Sequence, residues 1–194
     1  MSDWVEAARR EGYAHRAGLV DPALVMALRD AVLVSLARHG ASNPVAIQCD
    51  IMPLDLVGKL RGDPRLTGAL AEILGAAPTP LHADVLRVVP PGEPPTTPHK
   101  DADYIAHQPL WIAWIPLEDC PIERGPLVVW PSTEPLHLPC CIGDVIFFSS
   151  ETVHAALPNT TDSPRLSIDF RYGISAAAIS AEAFSTPASP GFSK

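Results

Sequence analysis

The chain has 194 residues, enough to bury a sizeable hydrophobic core as one domain. Hydrophobic residues make up 47% and charged residues 19%, which excludes a disordered polyelectrolyte. There are 14 Lys+Arg against 22 Asp+Glu, and a net charge of −8 argues against a nucleic-acid partner, whose phosphates demand a basic surface.

The opening residues lack a basic stretch followed by an apolar run, so no secretory signal is expected. No uncharged apolar run approaches the roughly 18 residues of a membrane helix. Two helices stand out early. Asp21-Pro22 reads as a cap with proline at the first helical position, and Gly40 as a stop; between them Leu24, Leu28, Val32 and Leu36 share one face. A second helix is predicted over Pro64–Leu74, capped by Asp63 and stopped by Gly75, with Leu66, Leu70, Ile73 and Leu74 as its apolar face. After residue 80 the texture changes to short β-rich runs between Pro and Gly turns: 85–89, 110–115, 127–130, 145–148 and 166–172. The 22 prolines, about twice the usual share, fit such loops and strand ends. The expected fold is mainly β: a helical N-terminal layer (1–80) packed on a sandwich or barrel (81–174), with a frayed tail (175–194). Cys49, Cys120, Cys140 and Cys141 form no CxxC pair, which points to reduced core thiols and a cytoplasmic protein.

Nucleotide-binding glycine motifs and a GxSxG elbow are absent, which leaves histidines and carboxylates. In an extended His99-Lys100-Asp101 the first and third side chains share a face and can aim an imidazole and a carboxylate at one point. His154, in Glu151-Thr152-Val153-His154, supplies a third donor. Two histidines and one carboxylate leave open positions on a non-haem Fe(II). The spacing is weak alone, since chance supplies roughly half an H-x-D in such a chain. His82-Ala83-Asp84 matches it equally. Downstream, 165–172 alternates. Arg165, Ser167, Asp169 and Arg171 form one face; Leu166, Ile168, Phe170 and Tyr172 form the other. The apolar face suits packing on the helices. The polar face points either to water, with an Asp169–Arg171 pair, or into a cavity where an arginine fork can take a carboxylate.

The stretch from Val85 to Gly173 resembles the phytanoyl-CoA dioxygenase family of Fe(II)/2-oxoglutarate oxygenases. The pieces come in order: Leu86-Arg87-Val88-Val89-Pro90-Pro91-Gly92, then Thr96-Thr97-Pro98-His99-Lys100-Asp101. Trp111 to Asp119, Gly125-Pro126-Leu127 and Gly143-Asp144-Val145-Ile146-Phe147-Phe148 follow, leading to His154. Asn159 and Pro164-Arg165 open the final strand, and Gly12-Tyr13 resembles the family's beginning. The resemblance implies a double-stranded β-helix (jelly roll) holding Fe(II) on His99, Asp101 and His154, and it sets aside His82 as a ligand. It implies that Arg165 takes the distal carboxylate of the co-substrate 2-oxoglutarate, with Ser167 beside it. Trp114 then lines that site or is a core aromatic between sheets. The implied reaction consumes O₂ and 2-oxoglutarate, releases succinate and CO₂, and hydroxylates a small-molecule metabolite. The carboxylate Asp101 argues against halogenation. Two alternatives stay open: a jelly roll that binds a metal or metabolite without oxygenase activity, and a cupin-like enzyme of another reaction type in which Arg165 is structural. The family's usual Pro-Gly-Ser-His turn reads Trp130-Pro131-Ser132-Thr133 here. Lys100 occupies the middle of the metal motif and is expected to face solvent. Tyr104, His107, Arg87 and Arg171 are further candidates for the pocket wall. The short step from Asp101 to His154 implies a small lid.

Overall fold

The computed structural model describes residues 2–81, 83–104 and 110–174. His82, His107 and the expected tail 175–194 lie outside these described residues.

Five helices come first: α1 (Asp3–Glu11), α2 (Pro22–His39), α3 (Pro44–Ile51), α4 (Asp55–Arg61) and α5 (Pro64–Leu74). The two predicted helices form where their signals stand. The Asp21 carboxylate accepts from Ala23 N–H and starts α2. Asp63 accepts from Arg65 N–H and starts α5. Each cap satisfies one of the orphan donors of a first turn. Prolines also open α2, α3 and α5, at positions where the missing N–H costs nothing.

Among the described residues ten strands follow or interleave: β1 (Tyr13–Arg16), β2 (Pro78–Pro80), β3 (Val85–Val89), β4 (Thr96–His99), β5 (Trp111–Pro116), β6 (Leu127–Val129), β7 (Leu136–Leu138), β8 (Val145–Ser149), β9 (His154–Ala156) and β10 (Arg165–Ile174). They build two antiparallel sheets. The larger runs β1-β8-β5-β10-β2, with β3 also paired to β10; the smaller runs β4-β9-β6-β7. This is the jelly roll, two facing sheets with no closed barrel. One expectation needs correcting. The first 80 residues are not a purely helical layer, because β1 pairs with β8 (Tyr13 opposite Phe148) and β2 pairs with β10. Both are too short to show a period of two in the sequence.

Two cores hold the molecule together. The first joins helices to the outer face of the larger sheet: Leu28, Val32, Ile47, Leu60, Leu66 and Leu70 meet Phe147, Leu166, Ile168, Phe170 and Tyr172. The apolar face of β10 therefore lies under the helices as the alternation predicts. Burying each such side chain is worth about 1.5–3 kcal/mol. The second core lies between the sheets and contains Ile112, Trp114, Leu127, Val129, Ile146 and Phe148. Among the cysteines, Cys120 and Cys140 are buried, whereas Cys49 and Cys141 are exposed, so only half are core thiols; none is in a disulfide. No helix among the described residues is long and apolar enough to cross a membrane.

Candidate active site

The smaller sheet sets two imidazoles face to face. β4 and β9 run antiparallel with His99 directly opposite His154, and the ring centroids are 4.3 Å apart. Each ring is tied at the back by its own strand. His99 Nδ1 lies 2.9 Å from the Thr97 carbonyl oxygen and His154 Nδ1 lies 3.0 Å from that of Thr152. A carbonyl only accepts, so in both rings Nδ1 carries the proton and the neutral ring turns a lone pair outward from Nε2.

Asp101 provides the third donor, by a route the sequence reading did not foresee. The triplet is not one extended strand. β4 stops at His99, and Asp101 opens a 3-10 turn (Asp101–Asp103). That turn is pinned by Ala102 N–H donating to Ser150 O at 3.0 Å. The Asp101 carboxylate is thereby aimed back at both histidines, and each Nε2 lies 3.6 Å from the same oxygen, Oδ1. This is too long for a hydrogen bond, and both nitrogens present lone pairs to a carboxylate that also has only lone pairs. Three donors that repel one another across a common centre fit a cation placed between them. Two imidazoles and one carboxylate match the ligand set of an open-sided non-haem iron.

The other carboxylate oxygen faces a cation. Arg171 Nη2 donates to Asp101 Oδ2 at 3.1 Å, and its Nη1 donates to the Ala83 carbonyl. Burial pushes the Asp101 carboxyl up, but the His99 contact and the charge of Arg171 outweigh it and hold the carboxyl far below its usual range. Asp101 also raises the pKa of His99, against the opposing effect of burial. Burial lowers that of His154 and favours the neutral, ligating ring. The expected Asp169–Arg171 pair does not form. Arg171 goes to Asp101, and Asp169 goes to Arg87, whose Nε donates to Asp169 Oδ2 at 2.9 Å. Both partners come from outside β10, because neighbours two apart on one face of a strand stand side by side while groups across the interior meet head on.

A narrow cavity runs beside the two histidines; His99, His154, Trp114, Phe148, Arg87 and Arg165 line it. Arg165 is 3% exposed and sits at one side. Its Nη1 donates to the Gly125 carbonyl at 2.6 Å, and its guanidinium carbon stands 6.0 Å from the centroid of the Trp114 ring. Trp114 is thus both a core aromatic between the sheets and a cavity wall. Arg165 Nε, Ser167 Oγ and Asp169 Oδ1 are buried and have no hydrogen-bond partner among the described residues. They occupy alternate positions of one strand face. An unpaired buried donor costs about 1–3 kcal/mol, and a buried charge costs more. A carboxylate ligand would satisfy the Arg165 donor and balance its charge.

The predicted residues converge unevenly. His99, Asp101 and His154 cluster; Arg165 and Trp114 share their cavity. Ser167 lies on the same strand face as Arg165, fully buried. Lys100 points away from the cluster and pairs with Glu151 at 3.5 Å. Tyr104 is exposed and stands edge-on to His99, with ring centroids 6.0 Å apart. The sequence reading missed the pairing of Arg171 with Asp101 and the Gly125 carbonyl that holds Arg165. Gly125 sits in the left-handed region at φ 76°, a turn signal visible in its motif but not its purpose.

Comparison with known proteins agrees with this geometry. The family model described as phytanoyl-CoA dioxygenase (PhyH) matches residues 130–167, the segment carrying His154 and Arg165. Among solved structures, the chain is similar to SnoN, described as the non-haem α-ketoglutarate-dependent epimerase from nogalamycin biosynthesis. Identity is 25%, the match covers 88% of this chain and 81% of that one, and the TM-score is 0.71. SnoK, described as the α-ketoglutarate-dependent carbocyclase of the same biosynthesis, gives 25% identity, 89% and 83% coverage and a TM-score of 0.72. The non-haem monooxygenase ThoJ in complex with Ni shares the fold at 18% identity, 88% and 76% coverage and a TM-score of 0.73. One SnoN structure holds Fe3+, α-ketoglutarate and nogalamycin RO. No curated protein sequence matches the chain.

Proposed function

We infer that this phytanoyl-CoA dioxygenase-like chain is a non-haem Fe(II)- and 2-oxoglutarate-dependent dioxygenase that hydroxylates a small-molecule metabolite. One observation carries the reading: His99, Asp101 and His154 converge on one centre, and Arg165, with an unpaired buried Nε, stands in the same cavity. His99, Asp101 and His154 hold the metal. Arg165 takes the distal carboxylate of 2-oxoglutarate, with Ser167 beside it and the Trp114 face closing that side. When bound, iron and 2-oxoglutarate together activate O₂ and oxidise a substrate C–H bond, the co-substrate leaving as succinate and CO₂.

The chain's own residues have defined tasks. The Thr97 and Thr152 carbonyls keep both Nε2 lone pairs directed at the metal position. The His99 contact and Arg171 together hold the Asp101 carboxyl far below its usual range and keep it ionised. Phe148, packed on the His154 ring with centroids 4.5 Å apart, excludes water from one flank. The whole chain is read as one oxygenase domain, and its free thiols support a cytoplasmic location.

The test is anaerobic. Fe(II) followed by 2-oxoglutarate should develop a visible charge-transfer band in wild type and not in Asp101→Ala, and O₂ should then yield succinate. Wild type and Asp101→Ala behaving alike would remove the proposal. Full co-substrate affinity in Arg165→Ala would turn the reading towards a cupin-like enzyme that does not use 2-oxoglutarate.

A further inference from the structure

We propose that Arg87 is the specificity residue of this site and that the substrate it selects is a monocarboxylic acid with an apolar body. The inference rests on the dioxygenase reading above and deepens it.

Arg87 occupies an inward position of β3, opposite Ser167 of β10. Its Nε is taken by Asp169, which fixes the plane of the guanidinium. Its two terminal nitrogens have no hydrogen-bond partner among the described residues. They form the end-on fork, the geometry that accepts both oxygens of one carboxylate. Arg87 lines the same cavity as His99 and His154, and its side chain is 35% exposed, whereas Arg165 is buried. Arg165 is the deep cation and Arg87 the one an entering molecule can reach.

Charge points the same way. Three arginines, Arg87, Arg165 and Arg171, face two carboxylates, Asp101 and Asp169. A divalent metal and a dianionic co-substrate cancel each other. One positive charge then remains uncompensated inside a chain of net charge −8. Arg87 holds the exposed end of that surplus, and a singly charged anion on its free terminal nitrogens balances it. Trp114, Leu127 and Phe148 supply the apolar part of the wall, suited to a hydrocarbon or aryl body.

The test uses the anaerobic Fe(II)/2-oxoglutarate complex and ¹⁹F NMR titration with 4-fluorobenzoate and its neutral counterpart 4-fluorobenzamide. The acid should bind at least tenfold more tightly than the amide, about the worth of a charge-assisted hydrogen bond. Arg87→Met should abolish that difference while the 2-oxoglutarate and metal affinities stay within twofold. Because Arg87→Met strands Asp169 in the interior, the double variant Arg87→Met/Asp169→Asn repeats the test without a buried unpaired carboxylate. Equal binding of acid and amide, binding of neither, or persistence of the preference in both variants overturns the proposal. So does weakened 2-oxoglutarate binding in Arg87→Met, which would assign Arg87 to the co-substrate. A wild type that gives no 2-oxoglutarate-dependent band with Fe(II) fails at the earlier step and refutes the dioxygenase reading itself.

Discussion

Replacing Arg171 by Met removes the cation that holds Asp101, and its cost follows from burial. Asp101 is 6% exposed, and its Oδ2 accepts from Arg171 alone among the described residues. Breaking a buried ion pair by deleting one partner costs about 3–5 kcal/mol, because the remaining charge stays out of water. The Ala83 carbonyl loses its donor as well, worth about 1 kcal/mol. We expect the lower part of that range, about 3 kcal/mol, since a carboxylate left without its cation takes up a proton instead of staying charged. Against a total stability of about 5–15 kcal/mol the variant still folds. Urea denaturation of the metal-free protein should show a midpoint lowered by about 1.5 M if the slope is near 2 kcal/mol/M. A cycle with Asp101→Asn should return a coupling of about 2 kcal/mol, because once the carboxylate is neutral Arg171 has less to hold. In Arg171→Met the metal affinity, measured calorimetrically with Co(II), should fall about 10–100-fold, the usual price of losing a partner behind a ligand. Additive single effects together with an unchanged metal affinity would refute the argument that Arg171 acts through Asp101.

Three further outcomes follow. Arg165→Ala should weaken 2-oxoglutarate binding about 30–100-fold, read from the anaerobic band, while leaving Fe(II) affinity intact; Arg165→Lys should recover only part, since it keeps the charge but loses the fork. Gly125→Ala places a Cβ against the Leu157 and Pro158 carbonyls at a left-handed φ of 76°, so it should cost about 2 kcal/mol or more in denaturation and displace the carbonyl that orients Arg165, weakening co-substrate binding too. Acid should destabilise the metal-free protein through Asp101. Its folded pKa lies below the ordinary 3.8, so its stabilisation is complete above that value and is lost as pH falls through the folded pKa. Arg171→Met should flatten this acid limb in a denaturation series, and an identical limb in both proteins would count against it.

The parts of the molecule legible in the sequence are those whose signal is local. Asp21-Pro22 and Asp63-Pro64 carry a cap and a pre-set φ within two residues, and both helices begin there. Residues 165–172 of β10 alternate, and both faces are readable in the sequence. α3 and α4, at eight and seven residues, are too short for a convincing apolar stripe. β7 and β9 have three residues each and exist only through their pairing, β7 with β6 and β9 with both β6 and β4. The same division runs through the site. His99 and Asp101 are two apart and could be suspected together. That Arg171 would reach Asp101, 70 positions away, depends on the 3-10 turn that follows β4 and carries Asp101. Arg87 and Asp169 are 82 apart, and a choice between Arg87 and Arg171 as the partner of Asp169 needs the interior geometry.

β10 carries Arg165, proposed for the co-substrate, and Arg171, which holds Asp101, on one side of its pleat, and the contact with the helices on the other. Successive residues of a strand alternate sides, so a slip of one position would trade Arg165, Ser167, Asp169 and Arg171 for Leu166, Ile168, Phe170 and Tyr172. Two guanidinium groups and a carboxylate would then lie beneath the helices, and greasy side chains would fill the chamber. Each charge buried there without a partner would cost several kcal/mol, which sets the shifted register well above the native one. Quality control is thereby built into assembly: a molecule that has buried its helices on this sheet has, by the same act, aligned its chemistry.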